Sequence, residues 1–170
     1  MPTVGAGGVS DQRSVERRTD VLVYSTPPLS EPLEVTGPVC VILYASSSAP
    51  DTDFTAKLVD VAPNGYARNL CEGIIRSRYR NSLVRPELLE PGQPYELNID
   101  LLITSNLFRT GHQIRLEISS SNFPRFDRNP NTGEPASTAR KTQPAVQTIY
   151  HDTPHPSHVL LPVIPRTDRV

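Results

Sequence analysis

Proline is the feature that most restricts what this chain can fold into: 18 of its 170 residues are prolines, about twice the average usage. A proline inside a helix removes a hydrogen bond and clashes with the preceding turn. This content therefore excludes an all-helical fold. It favours short elements separated by turns, within a chain of the usual single-domain size.

Two segments alternate apolar and polar residues strictly, at positions 95–101 and 113–119. A period of two predicts half-buried strands, with one face on the core and the other in water. The apolar run 39–45 predicts a strand buried on both faces. At 54–61 the alternation begins and then breaks, which indicates a bulge or a change of face. Shorter strands are predicted at 21–24, 33–36, 146–151 and 159–164.

Turn signals separate these segments. They stand at residues 26–28, 37–38, 49–51, 64–65, 90–92 and 110–112. The Asn64-Gly65 pair favours a tight hairpin because both residue types tolerate positive φ. Eight or nine short strands with such breaks predict an all-β fold, a jelly-roll β-sandwich of two antiparallel sheets.

Two segments fit the strand pattern less well. In residues 66–80, Leu70, Ile74 and Ile75 have helical spacing, but the turn just before them favours a returning strand, which we predict. Residues 119–135 form the longest irregular stretch, with three prolines and three asparagines. Long loops of this kind are usually functional or interfacial.

The motifs of several enzyme classes are missing from the sequence. It has no GxSxG nucleophile elbow, no phosphate-binding GxxxxGK[ST] loop and no dinucleotide fingerprint. The 17 basic and 18 acidic residues leave a net charge of -1, without the basic excess that nucleic-acid binding requires. We expect no cofactor and no nucleic-acid partner.

The longest apolar run, at 39–45, is far shorter than a membrane span needs, and residues 1–20 lack the apolar core of a secretory signal. We therefore expect a soluble, cytoplasmic protein with no membrane partner. Cys40 and Cys71 are expected to be small buried apolar residues, with a disulfide as the alternative.

The four histidines are candidate metal ligands. His151, His155 and His158 lie in HDTPHPSH, where two prolines prevent the helix that would place them on one face, and His112 lies far upstream. They are predicted to be exposed or hydrogen-bonded loop residues, and no metal site is expected.

Two groups of charged residues could have either a structural role or a role in catalysis or ligand binding. Asp51 and Asp53 could form a glycosidase pair or a calcium site, but aspartates that bind backbone N–H groups or an arginine are favoured. Arg125, Asp127 and Arg128 could form a similar network. The aromatic pair Phe123 and Phe126 could stack on a sugar or, as we favour, dock against a neighbouring surface.

Four stretches together resemble a known family. They are VTGPVCVILYASSSAPDTDFTAKLVDV (35–61), NLCEGIIRSRYR (69–80), ITSNLFRTGHQIRLEISSSNFPRFDRNPNTG (103–133) and IYHDTPHPSHVLLPVIP (149–165). They resemble the C-terminal domain of the cocaine-esterase and X-prolyl dipeptidyl-peptidase (CocE/NonD) family of serine hydrolases, whose acylase members share that domain. The likeness covers residues 11–165.

The resemblance implies a galactose-binding-like jelly roll without catalytic residues or metal, since the family's Ser, Asp and His belong to a preceding α/β-hydrolase domain and its cap. Such a domain packs on the hydrolase domain, helps shape the acyl pocket and supports dimer contacts. The implied partner is therefore that catalytic domain, in the same polypeptide or as a separate subunit, and a homodimer is a further expectation.

The same resemblance implies boundaries and interface residues. Residues 1–19 would be a linker, 20–166 the jelly-roll domain and 167–170 a tail, although the chain is shorter than its family between Gly8 and Asp11. The implied interface or pocket residues are Gly7, Gly8, Asn122, Phe123, Arg125, Phe126, Asp127, Arg128, Asn129 and Asn131.

Two other functions remain as alternatives. An independent carbohydrate-binding module would want several exposed aromatic residues, but the chain has no Trp, four Phe and six Tyr. A small cupin-type enzyme would need a different histidine spacing.

Overall fold

The computed structural model describes residues 10–135 and 137–165, and it shows two antiparallel sheets packed face to face. The strands are β1 (Leu22–Ser25), β2 (Leu33–Ser47), β3 (Asp53–Val61), β4 (Ala67–Arg76), β5 (Tyr95–Phe108), β6 (Gln113–Ser119), β7 (Gln147–Ile149), β8 (His158–Leu160) and β9 (Val163–Ile164), with short 3₁₀ helices at Gln12–Ser14 and Ser77–Tyr79. One sheet has the order β1-β6-β3-β4. In the other, β2 pairs with β5 on one side and with β7, β8 and β9 on the other. The predicted all-β sandwich of two antiparallel sheets is confirmed.

The core lies between the sheets and follows the alternation in the sequence. On β5, Leu97, Ile99 and Leu101 are almost fully buried, while the polar residues between them are exposed. Phe54 and Leu58 of β3 face them from the other sheet and are also buried. Each large apolar side chain buried in this way contributes roughly 1.5–3 kcal/mol.

The turn predicted at residues 37–38 is wrong, because β2 runs through it as one long strand. Gly37 and Pro38 lie between the points where β9 and β8 pair with β2, so the missing N–H of Pro38 breaks no ladder there. On the other side, Leu101 and Leu102 of β5 stand opposite a single residue of β2. This is a β-bulge, and Leu102 adopts the left-handed conformation at φ 67°.

Residues 67–76 form β4, so the predicted strand is confirmed over the helical alternative. β4 returns from β3 after the Asn64-Gly65 turn, in which Gly65 has φ 82°. The register shift in β3 falls between Leu58 and Val59, and the extra residue is Leu70 on β4. The sequence predicts a bulge or a change of face within 54–61; the irregularity falls in that range, but the additional residue belongs to the partner strand β4.

The polar face of β6 is buried at Glu117 and half-buried at its other positions, contrary to the prediction that it lies in water. Glu117 is only 3 % exposed. The segment 10–20 covers this face. Asp11 forms an isolated antiparallel β-bridge with Arg68 through the backbone, and the Gln12 side chain accepts a hydrogen bond from Lys57 Nζ at 3.1 Å. Local alternation cannot reveal a cover supplied by a distant part of the chain.

The last strands are shorter than predicted. The segment predicted at 146–151 forms strand only at 147–149, and the one predicted at 159–164 is divided by Pro162 into β8 and β9. Within the residues described, no helix is long and apolar enough to cross a membrane.

Candidate docking surface at the loop end

Three loops lie at one end of the sandwich, which we call the loop end. They follow β2, β4 and β6 and comprise residues 48–52, 77–94 and 120–146. The antiparallel registers place these three strand ends side by side. Hydrogen bonds join the loops: Leu89 N–H donates to Pro50 O at 2.8 Å, and Arg78 Nη2 donates to Glu134 O at 3.1 Å.

Asp51 is the central acceptor of the loop end and is completely buried. Its Oδ1 accepts from Ser77 Oγ and from the backbone N–H of Arg78, both at 3.1 Å. Its Oδ2 accepts from Arg78 Nε at 2.9 Å and from the Asn129 amide at 2.8 Å. One carboxylate therefore holds residues from all three loops, and a buried charge is tolerable because it is fully paired.

Asp53, at the start of β3, is also buried and also pairs with an arginine. Arg76 donates to its two oxygens at 2.9 and 3.0 Å, a bidentate pair, and Asp53 raises the pKa of the Arg76 guanidinium. The Asn129 amide also reaches Asp53, at 2.7 Å, so one side chain connects both carboxylates. The interpretation of Asp51 and Asp53 as aspartates that bind backbone N–H groups or an arginine is confirmed.

The first half of the irregular loop is attached to the middle of β4. Asn122 Nδ2 donates to Glu72 Oε2 at 3.0 Å, and Arg125 pairs with the other oxygen of Glu72. Arg125 thus pairs across to a strand rather than within the loop. Asp127 makes no side-chain hydrogen bond or ion pair with any residue that the structure describes.

The two loop aromatics stack with arginines. The Arg128 guanidinium lies 4.5 Å from the ring centre of Phe123, and that of Arg125 lies 5.6 Å from the ring of Phe126. Phe123 remains 56 % exposed, so one face of an aromatic ring is available at the surface.

The second half of the loop is held by asparagines. Asn131 adopts φ 64°, and its backbone N–H donates to Asn129 Oδ1 at 2.9 Å. Its side-chain amide donates to the backbone carbonyl of Gln143 at 2.9 Å, and the Gln143 side chain donates to the backbone carbonyl of Asn131 at 2.6 Å. Gly133 lies against Leu88 of the neighbouring loop. The remaining predicted interface residues, Gly7 and Gly8, lie outside the described residues.

The most exposed apolar residues of the loop end were not singled out from the sequence. Leu83 and Val84 are 86 % and 85 % exposed at the tip of the 77–94 loop, and Leu88 is half exposed. The available signal was an adjacent Leu-Val pair in a polar, proline-containing segment without alternation. Together with Phe123 they make a set of exposed apolar side chains, a feature that marks interaction surfaces.

A cleft of about 430 Å³ lies where the segment 10–20 meets the four-stranded sheet. Glu117 lies in its wall, close to Glu16 and Lys57, and its Oε1 has no hydrogen-bond partner among the residues that the structure describes. Burial raises the pKa of Glu117 to about 7, and Glu16 adds to the rise while Lys57 opposes it. Arg115 pairs with Glu16 at 2.7 Å.

The histidine rings have partners, but none is a serine hydroxyl among the residues described. His112 Nδ1 lies 2.7 Å from Asp60, and His151 Nε2 lies 3.0 Å from the Tyr24 hydroxyl. His155 contacts Asp152, and His158, which lies in β8 rather than in a loop, contacts a backbone carbonyl. The described part of the chain therefore contains no serine–histidine pair for nucleophilic catalysis.

Both cysteines are free thiols, and they are half-buried rather than fully buried. Cys40 lies on β2 and Cys71 on β4, in different sheets. Burial raises the pKa of Cys71 to about 11, so its thiol is a weak nucleophile at neutral pH.

Comparison with known proteins identifies this sandwich. Residues 3–160 match the family of X-Pro dipeptidyl-peptidase C-terminal non-catalytic domains. The chain belongs to that family. It is similar to the cocaine esterase of Rhodococcus sp. (strain MB1 Bresler), with 53 % identity over 164 residues, which cover 95 % of this chain and 29 % of the relative.

Solved structures of related hydrolases contain the same fold. The domain superposes on an α-amino acid ester hydrolase with a TM-score of 0.89 and 38 % identity, covering 92 % of this chain and 27 % of the other. A CocE/NonD family hydrolase of Staphylococcus aureus, at 16 % identity, shares the fold with a TM-score of 0.68 over 92 % of this chain and 33 % of its own. The chain thus corresponds to the non-catalytic C-terminal part of CocE/NonD-type hydrolases and spans less than a third of the curated relative's length.

Proposed function

We propose that this domain docks through its loop end on the catalytic α/β-hydrolase domain of a serine hydrolase of the esterase or dipeptidyl-peptidase type, and forms part of the wall of the acyl pocket. The observation that carries the proposal is the exposure of Leu83 and Val84 on a loop anchored to buried ion pairs. Solvent-exposed apolar tips are unfavourable in a free monomer and favourable when a partner covers them.

The buried hydrogen bonds beneath Leu83 and Val84 favour docking without a large rearrangement of the loops. Asp51 and Asp53 each hold an arginine and share Asn129, so the three loops are fixed relative to one another before a partner arrives. A preordered surface loses less conformational entropy on association than a flexible one. Phe123 with its stacked Arg128 adds an aromatic and a cationic contact of the kind enriched at interfaces.

The experiment is a chimera in which this chain replaces the C-terminal domain of the Rhodococcus cocaine esterase. We expect a soluble enzyme that hydrolyses a p-nitrophenyl ester. The double change Leu83→Asp and Val84→Asp should lower its activity at least about tenfold, because two charges would be buried against the catalytic domain. The control is Ile103→Asp, at an apolar residue of β5 that is also largely exposed (76 %), which should leave activity unchanged.

A chimera whose activity and melting temperature withstand the double change would show that the loop end is not the docking surface. Mixing the truncated esterase with the separate chain tests whether the two also associate as subunits. Sedimentation of the chimera and of the separate chain tests the expected homodimer.

The catalytic role is assigned to the partner alone. The purified chain by itself should hydrolyse neither p-nitrophenyl esters nor dipeptidyl anilides above the rate without protein. Turnover that persists in preparations from a host lacking its own esterases would contradict the assignment.

A further inference from the structure

Between β7 and β8, residues 151–156 leave the edge of β2 that faces away from β5. Pro154 and Pro156 in this segment have no N–H to donate to the edge. Both backbone groups of Tyr44 are still satisfied, because its carbonyl accepts from Tyr150 N–H and its N–H donates to Ser157 Oγ, each at 2.9 Å. The segment thus leaves an opening between β7 and β8, which His151 and Ser157 line.

Behind the opening, an apolar pocket of about 310 Å³ lies between the two sheets. Leu43 and Val159 form one wall, while Leu58, Leu116 and Ile118 form the other. Three of these side chains are at most 3 % exposed, so the pocket reaches the core of the domain. No Asp, Glu, Lys or Arg is among its lining residues, and a charged ligand would therefore lose hydration there without gaining a partner.

Polar groups line the same pocket. The Tyr24 hydroxyl and His151 Nε2 lie 3.0 Å apart, with their rings edge to face at 5.1 Å, and connect the two sheets. A tyrosine hydroxyl has one donor and two acceptor positions, so whichever group donates in this pair, the hydroxyl retains capacity for a second hydrogen bond. The pocket therefore combines apolar walls with the hydroxyl–imidazole pair of Tyr24 and His151, which is suited to a single ligand hydroxyl.

We propose that this inter-sheet pocket is a binding site for a small neutral aromatic molecule carrying one hydroxyl group, such as an aromatic alcohol. The volume of the pocket suits such a ligand. An engineered cavity of about 150 Å³ holds benzene, and this pocket has about twice that volume, enough for a ring with a short substituent. Apolar pockets with a few converging polar groups are the usual form of small-molecule sites. The site is independent of the loop end, so it holds or fails regardless of the docking proposal.

The test titrates benzyl alcohol into the ¹⁵N-labelled full chain and follows amide chemical shifts. We expect saturable shifts in β1, β6 and β8, with a dissociation constant of about 1 mM or lower. Toluene, which lacks the hydroxyl, should bind about fivefold more weakly, because the polar groups then lose a partner. Benzoate at pH 8 should bind still more weakly because it carries a charge.

Two substitutions make the test specific. Val159→Phe places a ring in the pocket and should weaken binding about tenfold or more, whereas Leu160→Phe, at the next and 51 % exposed position, should not. If Val159→Phe fails to fold, Ile149→Phe on the neighbouring short strand replaces it. Tyr24→Phe should remove the preference for benzyl alcohol over toluene while both still bind.

Saturable shifts that Val159→Phe or Ile149→Phe abolishes would support the site. Shifts that are non-saturable, that map outside the pocket, or that are equal in wild type and the filled variants would overturn it. Equal affinity for benzyl alcohol and toluene in the wild type would overturn the assigned ligand class.

Discussion

The carboxylate of Asp51, which has no solvent exposure, lies 2.8 Å from the guanidinium of Arg78. Asp51 precedes β3 and Arg78 follows β4, so the pair joins two loops that are 27 positions apart in the chain. Removing one partner of a buried pair leaves the other charge uncompensated.

We therefore expect Asp51→Asn to lower the free energy of unfolding by about 3–5 kcal/mol, because Arg78 would keep its charge without a carboxylate. Urea unfolding followed by circular dichroism measures the change. The control, Asp20→Asn, breaks an exposed pair with Arg18 and should cost less than about 1 kcal/mol. Equal losses in the two variants would contradict a structural role for Asp51.

Asn129→Ala should lower stability by about 2 kcal/mol, because two buried carboxylates lose a hydrogen-bond donor. The loss should also be local: the Asn131 amide, which donates to Asn129 Oδ1, should exchange with deuterium faster. The comparison is Asn98→Ala, at an exposed position of β5. Unchanged exchange at Asn131 would show that the loop is held by other contacts.

Gly73 marks a close approach of the two sheets. A Cβ built at this position would lie 2.0 Å from the carbonyl oxygen of Asp100, a backbone atom of β5 that cannot rotate away. Gly73→Ala should therefore cost about 3 kcal/mol of stability. Gly65→Ala is the reference: no described atom lies within 4 Å of a Cβ built there, and only its positive φ is strained, which costs about 1 kcal/mol. Thermal unfolding that ranks the two variants in the opposite order would refute the close contact.

The raised pKa of Glu117 should make the stability of the fold depend on pH. Burial raises its pKa to about 7 from an ordinary value of 4.5. Between these pH values the native state holds a proton that the unfolded chain releases, so stability should fall as pH rises from about 4.5 to about 7. The neighbouring groups are Glu16, Lys57 and Arg115, all included in this balance.

Glu117→Gln removes that titration. It should match the wild type near pH 4.5 and be more stable by about 1–3 kcal/mol at pH 8, as measured by urea unfolding across this range. Glu31→Gln, at an exposed position, should keep the wild-type profile. A wild-type stability that rises between pH 5 and 7 in step with the Glu117→Gln variant would exclude this role for Glu117.

Some elements could be predicted because their pattern is local. β6 has its predicted bounds, and β5 begins where predicted, since apolar and polar residues alternate in both and one face meets the core. The secondary structure of β4 is less clear from the sequence, because the spacing of Leu70, Ile74 and Ile75 suits either a helix or a bulged strand. The Asn64-Gly65 turn before it favours a strand, and the structure confirms that prediction.

Other features depend on contacts between distant segments. Gly37-Pro38 has the composition of a turn but lies inside β2, because the pairing with β5 continues through it. Glu117 has the pattern of an exposed residue but is covered by the segment 10–20. In both cases a contact with a distant segment overrides the local pattern: strand pairing at Gly37-Pro38, and packing of the segment 10–20 at Glu117.

The sequence by itself determined that this chain forms short strands, carries no nucleophile elbow and resembles a non-catalytic sandwich, because proline content, alternation and motifs are read residue by residue. Only the tertiary structure decided which charges are buried, which apolar tips remain at the loop end and where the sandwich is open at its edge. Those outcomes depend on segments brought together from positions up to 127 residues apart, and no local pattern records such pairings.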